Sequence, residues 1–501
     1  MHIKMSIGKR SLMLSRLSQY KLDADSVYWI LGCIILIVVF AAIATEVYFL
    51  LALPILIVGG WITLVDYKKI FYLLFVSIPI SIELSLPAGL SLNVFTEPLQ
   101  ILLSLITIVL ILKDGKSIDK RYVTHPISIT LLIHVVWICI STIFSGDYVV
   151  SIKYVLAKLW FILPSFYLTM KLIRSVDDVK KVIWCFLLPL LFTITVILIR
   201  HAAIGFSFDG VNYILGPFYS NHVLYASTIA IGFPFVWILR KWYPTYSFLW
   251  WFLVGSFVLM MVAIYLSYTR ATMASVFIVF GMYFIVKWRW SRQAFSIGML
   301  ALFSLFFWLG NQNNFMNYTP NFERTITHQS FDNLLEATLR GQDISLAERY
   351  YRWIAGLYMV GDHPVMGSGP STFYNEYKAY TLSSFKTYVS DNEEHSGIHN
   401  YFLMLLVEQG IPGLLFFLLF SYILFAEGER IYHQQRDPQS RDTVLAAIFS
   451  LSIMYSLLVI NDMVEADKIG VMFFFAAGLL VTFDINHLDK EGSTKIHTTV
   501  E

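Results

Sequence analysis

Apolar runs of roughly bilayer length recur along almost the whole chain, each closed by a short polar or aromatic cluster. A helix needs about 20 mostly apolar residues to cross the hydrocarbon core. By that measure spans are predicted at 27–44, 47–65, 70–86, 96–112, 127–145, 154–172, 182–199, 222–239, 248–267, 271–287, 293–309, 411–427, 443–460 and 468–484. The pattern changes between 310 and 398. There the chain is mixed, with NFERTITH, the helix-period SLAERYYRWIAGLYMV and FYNEYKAYTLSSFKTYV in turn. A connection this long is usually functional or disordered. Its aromatics and helical periodicity predict an ordered segment that lies against the bilayer surface or caps the bundle. A short interfacial helix is predicted at 400–409, before GIPG turns the chain into the next span.

Composition agrees with this pattern. Of 501 residues, 57% are hydrophobic and only 14% charged, and the mean hydropathy is +0.65, which excludes a soluble enzyme. Net charge +2 does not suggest nucleic acid, because the basic residues are sorted by topology. With the N-terminus inside, 25 of the 36 Lys and Arg fall in alternate connections and the two ends. Five (Lys153, Lys158, Arg200, Arg270, Lys468) fall on the other side outside the long loop, and six lie within that loop. The positive-inside rule then predicts both termini in the cytoplasm and the loop outside. The expected organisation is a cytoplasmic tail (1–26), eleven spans (27–309), a large outer loop (310–398), the interfacial helix with three more spans (399–484), and a second tail (485–501). Cys33, Cys139 and Cys185 sit inside apolar runs without metal-ligand spacing. No D-x-D occurs in the first outer loop, and no lysine-bearing phosphate loop lies on the cytoplasmic side.

A few polar residues stand out against this background. SYTRA leaves Arg270 in a turn of almost no length between two spans; it either snorkels to the interface or faces a cavity or ligand. In ERYYRW, Arg349 and Arg352 share a helix, and Trp353 is four residues from Arg349, close enough to buttress its guanidinium. The alternative is a solvated amphipathic face. Pro364 ends that helix, and Gly367 and Gly369 allow a tight turn with exposed backbone N–H groups. His399 heads an apolar segment, where an imidazole neutral near pH 7 either takes a proton from a hydroxyl or caps and packs. Asn400 is placed to orient it.

In this order, SYTRA (267–271), RYYRW (349–353), HPVMGSG (363–369) and HNYFLMLLVEQGIPG (399–413) resemble the O-antigen ligase and polymerase superfamily. GPFYSNHVLYASTIAIGFPF (216–235) is similar to an earlier segment of that family, with Asn221 in its Asn position, although Ser220 stands where the family commonly has Pro. The resemblance implies an all-α polytopic membrane protein of 12 to 14 spans with one large, partly helical periplasmic loop, in the bacterial inner membrane. It implies transfer of a glycan from a polyprenyl-pyrophosphate carrier to an acceptor hydroxyl, with inversion and without metal, nucleotide or other cofactor. Arg270 and Arg349 would hold the pyrophosphate and His399 would be the base. Arg352, Asn400, Asn221, Gly367, Gly369 and Trp353 would support them.

The favoured acceptor is lipid A–core, as in a ligase; a growing glycan, as in a polymerase, is the alternative. A lipid-linked glycan flippase or other transporter is a third reading. It would call for mid-span ionisable residues and repeat symmetry, whereas only His134 lies clearly mid-span.

Overall fold

The structure, a computed structural model, describes residues 52–86, 90–114, 119–208, 210–311, 344–387, 390–392 and 396–498. The expected N-terminal tail, the first span and most of 310–343 lie outside these. The chain divides into two compact units after Ile70. Helix α1 (Ala52–Ile80) is broken at Asp66, whose backbone leaves the helical region at φ −155°. The Asp66 carboxylate accepts from the N–H of Lys68 (3.2 Å) and so restarts the helix. This break separates the second expected span from the third.

In the second unit the third span stops at Ile80 rather than 86, just after Pro79. The buried Lys468 ammonium ties off its end by donating to the carbonyls of Ile78 (2.7 Å) and Ser81 (2.9 Å). The next residues form an antiparallel hairpin instead, β1 (Glu83–Leu86) with β2 (Leu90–Asn93), Glu83 opposite Asn93. Long helices follow: α2 (Thr96–Asp114), α3 (Lys120–Thr124, a single short turn), α4 (Pro126–Ile143) and α5 (Tyr148–Ile162). A π-helical turn at Leu163–Tyr167 carries α5 on to Leu172. Then come α6 (Val176–Ala203), α7 (His222–Lys241), α8 (Phe248–Leu266), α9 (Arg270–Lys287) and α10 (Ser291–Gly310). After the long connection come α11 (Ile344–Asp362), α12 (Tyr401–Gln434), α13 (Pro438–Leu458) and α14 (Asp467–Thr498). The last helix thus runs on through most of the expected C-terminal tail.

Helix starts are set by side chains that accept from otherwise unpaired N–H groups. Asp147 caps α5, Ser175 α6, Ser247 α8 and Asp437 α13. Among the described residues ten helices are long and apolar enough to cross a membrane, so this is an all-α, multi-pass membrane protein. α10 stands where the eleventh span is expected but is not one of the ten. Burial separates inner helices from outer ones. In α14, α7 and α13, 94%, 78% and 72% of the apolar window is buried, against 28% in α2, α8 and α9. A helix apolar all round belongs inside, whereas one with an uncovered apolar face meets lipid.

Contacts between connections fix which helix ends lie together. Lys241 pairs with Asp442 (3.2 Å), His433 hydrogen-bonds the carbonyl of Val286 (2.8 Å), and the Ser291 N–H donates to Glu429 (2.8 Å). These join the ends of α7, α9 and α12 at one face. Their starts, at Asn221, Arg270 and Asn400, are therefore all at the opposite face.

Candidate functional site

Helix α11 grips the segment that carries His399. The buried Arg352 guanidinium donates to the carbonyl of Gly397 (3.0 Å), and the Trp353 indole N–H donates to that of Ile398 (3.0 Å). One turn earlier, Glu348 pairs with Arg352 (3.5 Å) and accepts from the hydroxyls of Thr387 and Ser390. Just beyond the two gripped carbonyls, His399 takes the left-handed conformation (φ +55°), which is unusual for a side chain of its size. Asn400 then starts α12, its side chain accepting from Leu403 N–H (2.9 Å). Asn400 thus acts through the backbone rather than by orienting the imidazole, and Trp353 reaches Ile398 rather than Arg349. The Arg349 guanidinium hydrogen-bonds Ser345 (3.0 Å).

The His399 ring is half-buried, and its Nδ1 is sealed from solvent without a hydrogen-bond partner among the described residues. That leaves Nε2 as the nitrogen a ligand can reach. Burial, with the nearby Arg352 and Arg349 charges, holds its pKa down at about 3. The ring is therefore neutral at physiological pH.

The glycine turn is built differently from its sequence expectation. Gly367 N–H donates to His363 O (3.1 Å), Ser368 N–H to Val407 O (2.9 Å) and Gly369 N–H to Glu408 O (3.0 Å), so these groups are spent and do not form an anion cradle. The turn is spliced into a break in α12 at Gly410 (φ +71°), where Ile411 N–H donates back to Pro364 O (2.8 Å). A Cβ on Gly367 would lie 2.4 Å from Glu408 O, and one on Gly410 2.1 Å from Val365 O. Both positions need glycine for conformation and for space. Residues 401–410 are packed into protein here. The Glu408 carboxylate is buried and accepts from the N–H groups of Ser371 (2.7 Å) and Phe373 (3.2 Å); Gln409 meets His134 (3.2 Å). Trp137 donates to Gln409 O (2.8 Å), and Ser141 to Met366 O (2.7 Å), so α4 backs the splice.

Beneath it lies a polar floor that the sequence did not point to. Lys158 on α5, only 4% exposed, pairs with Glu465 (2.5 Å), which also accepts from Tyr154 (2.9 Å). The Tyr401 hydroxyl lies 3.5 Å from the same ammonium. In the same α13–α14 connection Asp462 presses on Gly397, where a Cβ would meet its Oδ2 at 2.5 Å. Burial raises the Asp462 carboxyl pKa, and the Arg352 charge opposes that rise. Lys158, which sequence topology counts as an outer-face basic residue, is thus the inner half of a buried ion pair.

A second group forms at the starts of α7 and α9. Asn221 caps α7 by accepting from Leu224 N–H (2.9 Å). Thr269 donates to His222 O (3.3 Å) and so ties the turn before Arg270 to that cap. Arg270 is half-buried at the first position of α9. Arg349, Arg352, Trp353, His399 and Asn400 thus come together around α11. Arg270 and Asn221 belong to this neighbouring group on the same face. Among the described residues no group of three His, Cys, Asp or Glu is placed to hold a metal ion.

Residues 255–418 match the O-antigen ligase family. This match supports the resemblance of the chain to the O-antigen ligase superfamily. The matched stretch runs from α8 to the middle of α12 and includes Arg270, the α11 grip, the glycine turn and His399. Asn221, Lys158, Asp462 and Glu465 lie outside it. The matched family points to a membrane glycan-processing enzyme of the ligase and polymerase type, with lipid-linked glycans as the implied substrates. No curated protein matches the chain.

Proposed function

We propose that this protein transfers a glycan from a polyprenyl-pyrophosphate carrier to the hydroxyl of lipid A–core, at the periplasmic face of the bacterial inner membrane, with both termini cytoplasmic. The observation that carries this reading is His399, neutral and rigidly presented, with one reachable nitrogen beside two guanidinium groups.

The acceptor hydroxyl attacks the anomeric carbon as the bond from that carbon to the pyrophosphate oxygen breaks. Nε2 of His399 takes the hydroxyl proton, and the pyrophosphate leaves with the bonding electron pair. Arg270 and Arg349 supply fixed positive charge where negative charge grows, which is worth most in a water-poor site. One displacement gives inversion. Since pyrophosphate is already an activated leaving group, neither nucleotide nor metal is called for.

Charge also times the base. Without donor, burial and the Arg352 and Arg349 charges keep His399 a weak proton acceptor. A bound pyrophosphate offsets the Arg349 charge and raises the affinity of the ring for a proton, so the base strengthens when donor is present.

The test uses detergent-purified protein, a polyprenyl-pyrophosphate-linked oligosaccharide and lipid A–core, with EDTA present. A discrete band on the core lipid that is lost in His399→Ala supports the ligase reading. A ladder still on the carrier makes the protein a polymerase using the same groups. If the folded wild type consumes no donor, or His399→Ala matches it, the reading is wrong; the first result leaves lipid-linked glycan movement as its replacement.

A further inference from the structure

The α8–α9 turn and the end of α6 meet in a cluster of aromatic rings next to Arg270. The Tyr268 hydroxyl donates to the carbonyl of Phe206 (2.7 Å). Ring centroids lie 5.3 Å apart for His201–Phe206, 5.3 Å for Phe208–Tyr268 and 6.1 Å for His201–Tyr268, all edge-on. Phe206 remains 41% exposed, and Phe208 and Tyr268 are half-buried.

The backbone beneath these rings is unusual. Phe206 (φ +54°) and Tyr268 (φ +57°) are both left-handed, a conformation that bulky side chains avoid. Gly205 already ends α6 in the ordinary way: its N–H bonds Ala202 O and that of Phe206 bonds His201 O. The helix end therefore does not need an aromatic residue after the glycine. At the end of α8, Tyr268 itself holds the left-handed position that glycine usually takes. Strained residues of this kind concentrate at ligand clamps and active sites.

We propose that Phe206, Phe208 and Tyr268 form a stacking platform for the sugar residues nearest the pyrophosphate of the lipid-linked donor. This rests on the donor reading given above. In such a donor the first sugar is bonded directly to phosphate, so groups beside Arg270 meet that sugar. Tyr268 is two residues from Arg270, and Thr269 joins the turn to His222. A pyranose ring has an apolar C–H face and a hydroxyl edge, which suits a ring surface with a polar rim. The rim is present: the Asn212 side-chain oxygen meets both the ring Nδ1 (2.8 Å) and the backbone N–H (3.1 Å) of His222. An aromatic belt at the headgroup level is the competing use of such rings. Binding of a carrier with and without its glycan separates the two uses.

The deciding variant is Tyr268→Gly, because glycine relieves the backbone while removing the ring. The measurement is binding, in nanodiscs, of two probes: bare polyprenyl pyrophosphate and the same carrier bearing an oligosaccharide. Tyr268→Gly is expected to melt no lower than wild type yet bind the glycan-bearing probe about 10-fold more weakly, with bare-carrier binding unchanged. Phe206→Ala should act in the same direction, and Tyr268→Phe should stay near wild type. Arg270→Ala should weaken both probes. Equal losses for both probes in Tyr268→Gly, or no loss for either, overturns the platform, the first pointing to a membrane anchor. If Arg270→Ala changes neither probe while Tyr268→Gly still discriminates, the platform stands and the pyrophosphate role of Arg270 falls. Wild type that binds neither probe overturns both.

Discussion

The two groups on the site face are built in opposite ways. Around His399 each strained element is gripped: two carbonyls before it are bonded from α11, the helix after it is capped, and Asp462 presses from below. Around Arg270 the turn is short, its rings are partly uncovered, and the Tyr268 hydroxyl joins its two left-handed aromatic residues by bonding the Phe206 carbonyl. A group that moves a proton must be held within a fraction of an ångström, while a surface that accepts a varied glycan gains from give. The contrast therefore predicts a division of labour: substitutions in the first group should lower kcat, and those in the second should raise KM.

The largest effect tests the gripped side directly. His399→Ala should reduce kcat by about 10²- to 10⁴-fold, the usual range for loss of a general base, with donor binding retained. Equal loss of binding would move His399 to the binding group and erase the distinction. The pH profile sharpens it. With its pKa at about 3, free His399 stays neutral well into acid, so kcat/KM for the free enzyme should not fall near pH 6.5 on its account. The acid limb of kcat should lie at higher pH than that of kcat/KM, because bound pyrophosphate offsets the Arg349 charge. The same shift bears on stability. A histidine whose pKa is lowered on folding contributes stability that is present above about 6.5, the unfolded value, and is lost as pH falls toward about 3. Replacing His399 with Gln should flatten that part of the thermal-stability curve.

Next in size is the splice that holds the grip in place. Gly367→Ala puts a methyl against the Glu408–Gln409 backbone at a φ of +72°, and Gly410→Ala puts one on Val365 O at +71°. A left-handed non-glycine residue alone costs about 1–3 kcal/mol, and here backbone cannot step aside. Both variants should melt well below wild type or fail to accumulate. Gly205→Ala, also left-handed (φ +69°) but with nothing within 4 Å, should lose only the conformational part. If all three behave alike, close approach at the splice is not what those glycines serve.

How much of this was legible follows the same line. Arg270, Arg349 and His399 stand in local motifs, and the spans that present them follow from apolar run length, so both were readable. The partners were not, because they come from distant segments. Trp353 looks made for Arg349 four residues away, yet its indole serves Ile398, 45 residues on. Lys158 reads as one more outer-face basic residue until Glu465, 307 positions later, arrives beside it. Glu408 and Gln409 look too polar for a membrane helix. They are tolerated because the N–H groups of Ser371 and Phe373 meet the Glu408 carboxylate and His134 meets the Gln409 side-chain oxygen. Runs and spacings carry local geometry, whereas polar groups buried inside a bundle are explained only by what folds against them.

Trp353→Phe offers a smaller, cleaner test of the gripped side. It keeps an aromatic ring, though a smaller one, and leaves the Ile398 carbonyl without its indole donor, a loss of about 1–3 kcal/mol. A drop of about tenfold in kcat at unchanged KM is expected; a change in KM alone would contradict the assignment.

The smallest effects come from a matched pair. Asn400 and Asn221 cap α12 and α7 with the same geometry, each side chain 2.9 Å from the N–H three residues on. Alanine at either should cost about 1 kcal/mol of stability, so thermal melts should not tell them apart. Turnover should. Asn400 adjoins His399, and loosening that helix start should lower kcat a few-fold. Asn221 precedes His222, to which the Arg270 turn is tied, and its loss should raise KM for donor a few-fold instead. Two equal structural lesions with different kinetic signatures would show that the groups do different work. The same signature from both would mean that the site face moves as one body, and the contrast between its halves would then be one of packing alone.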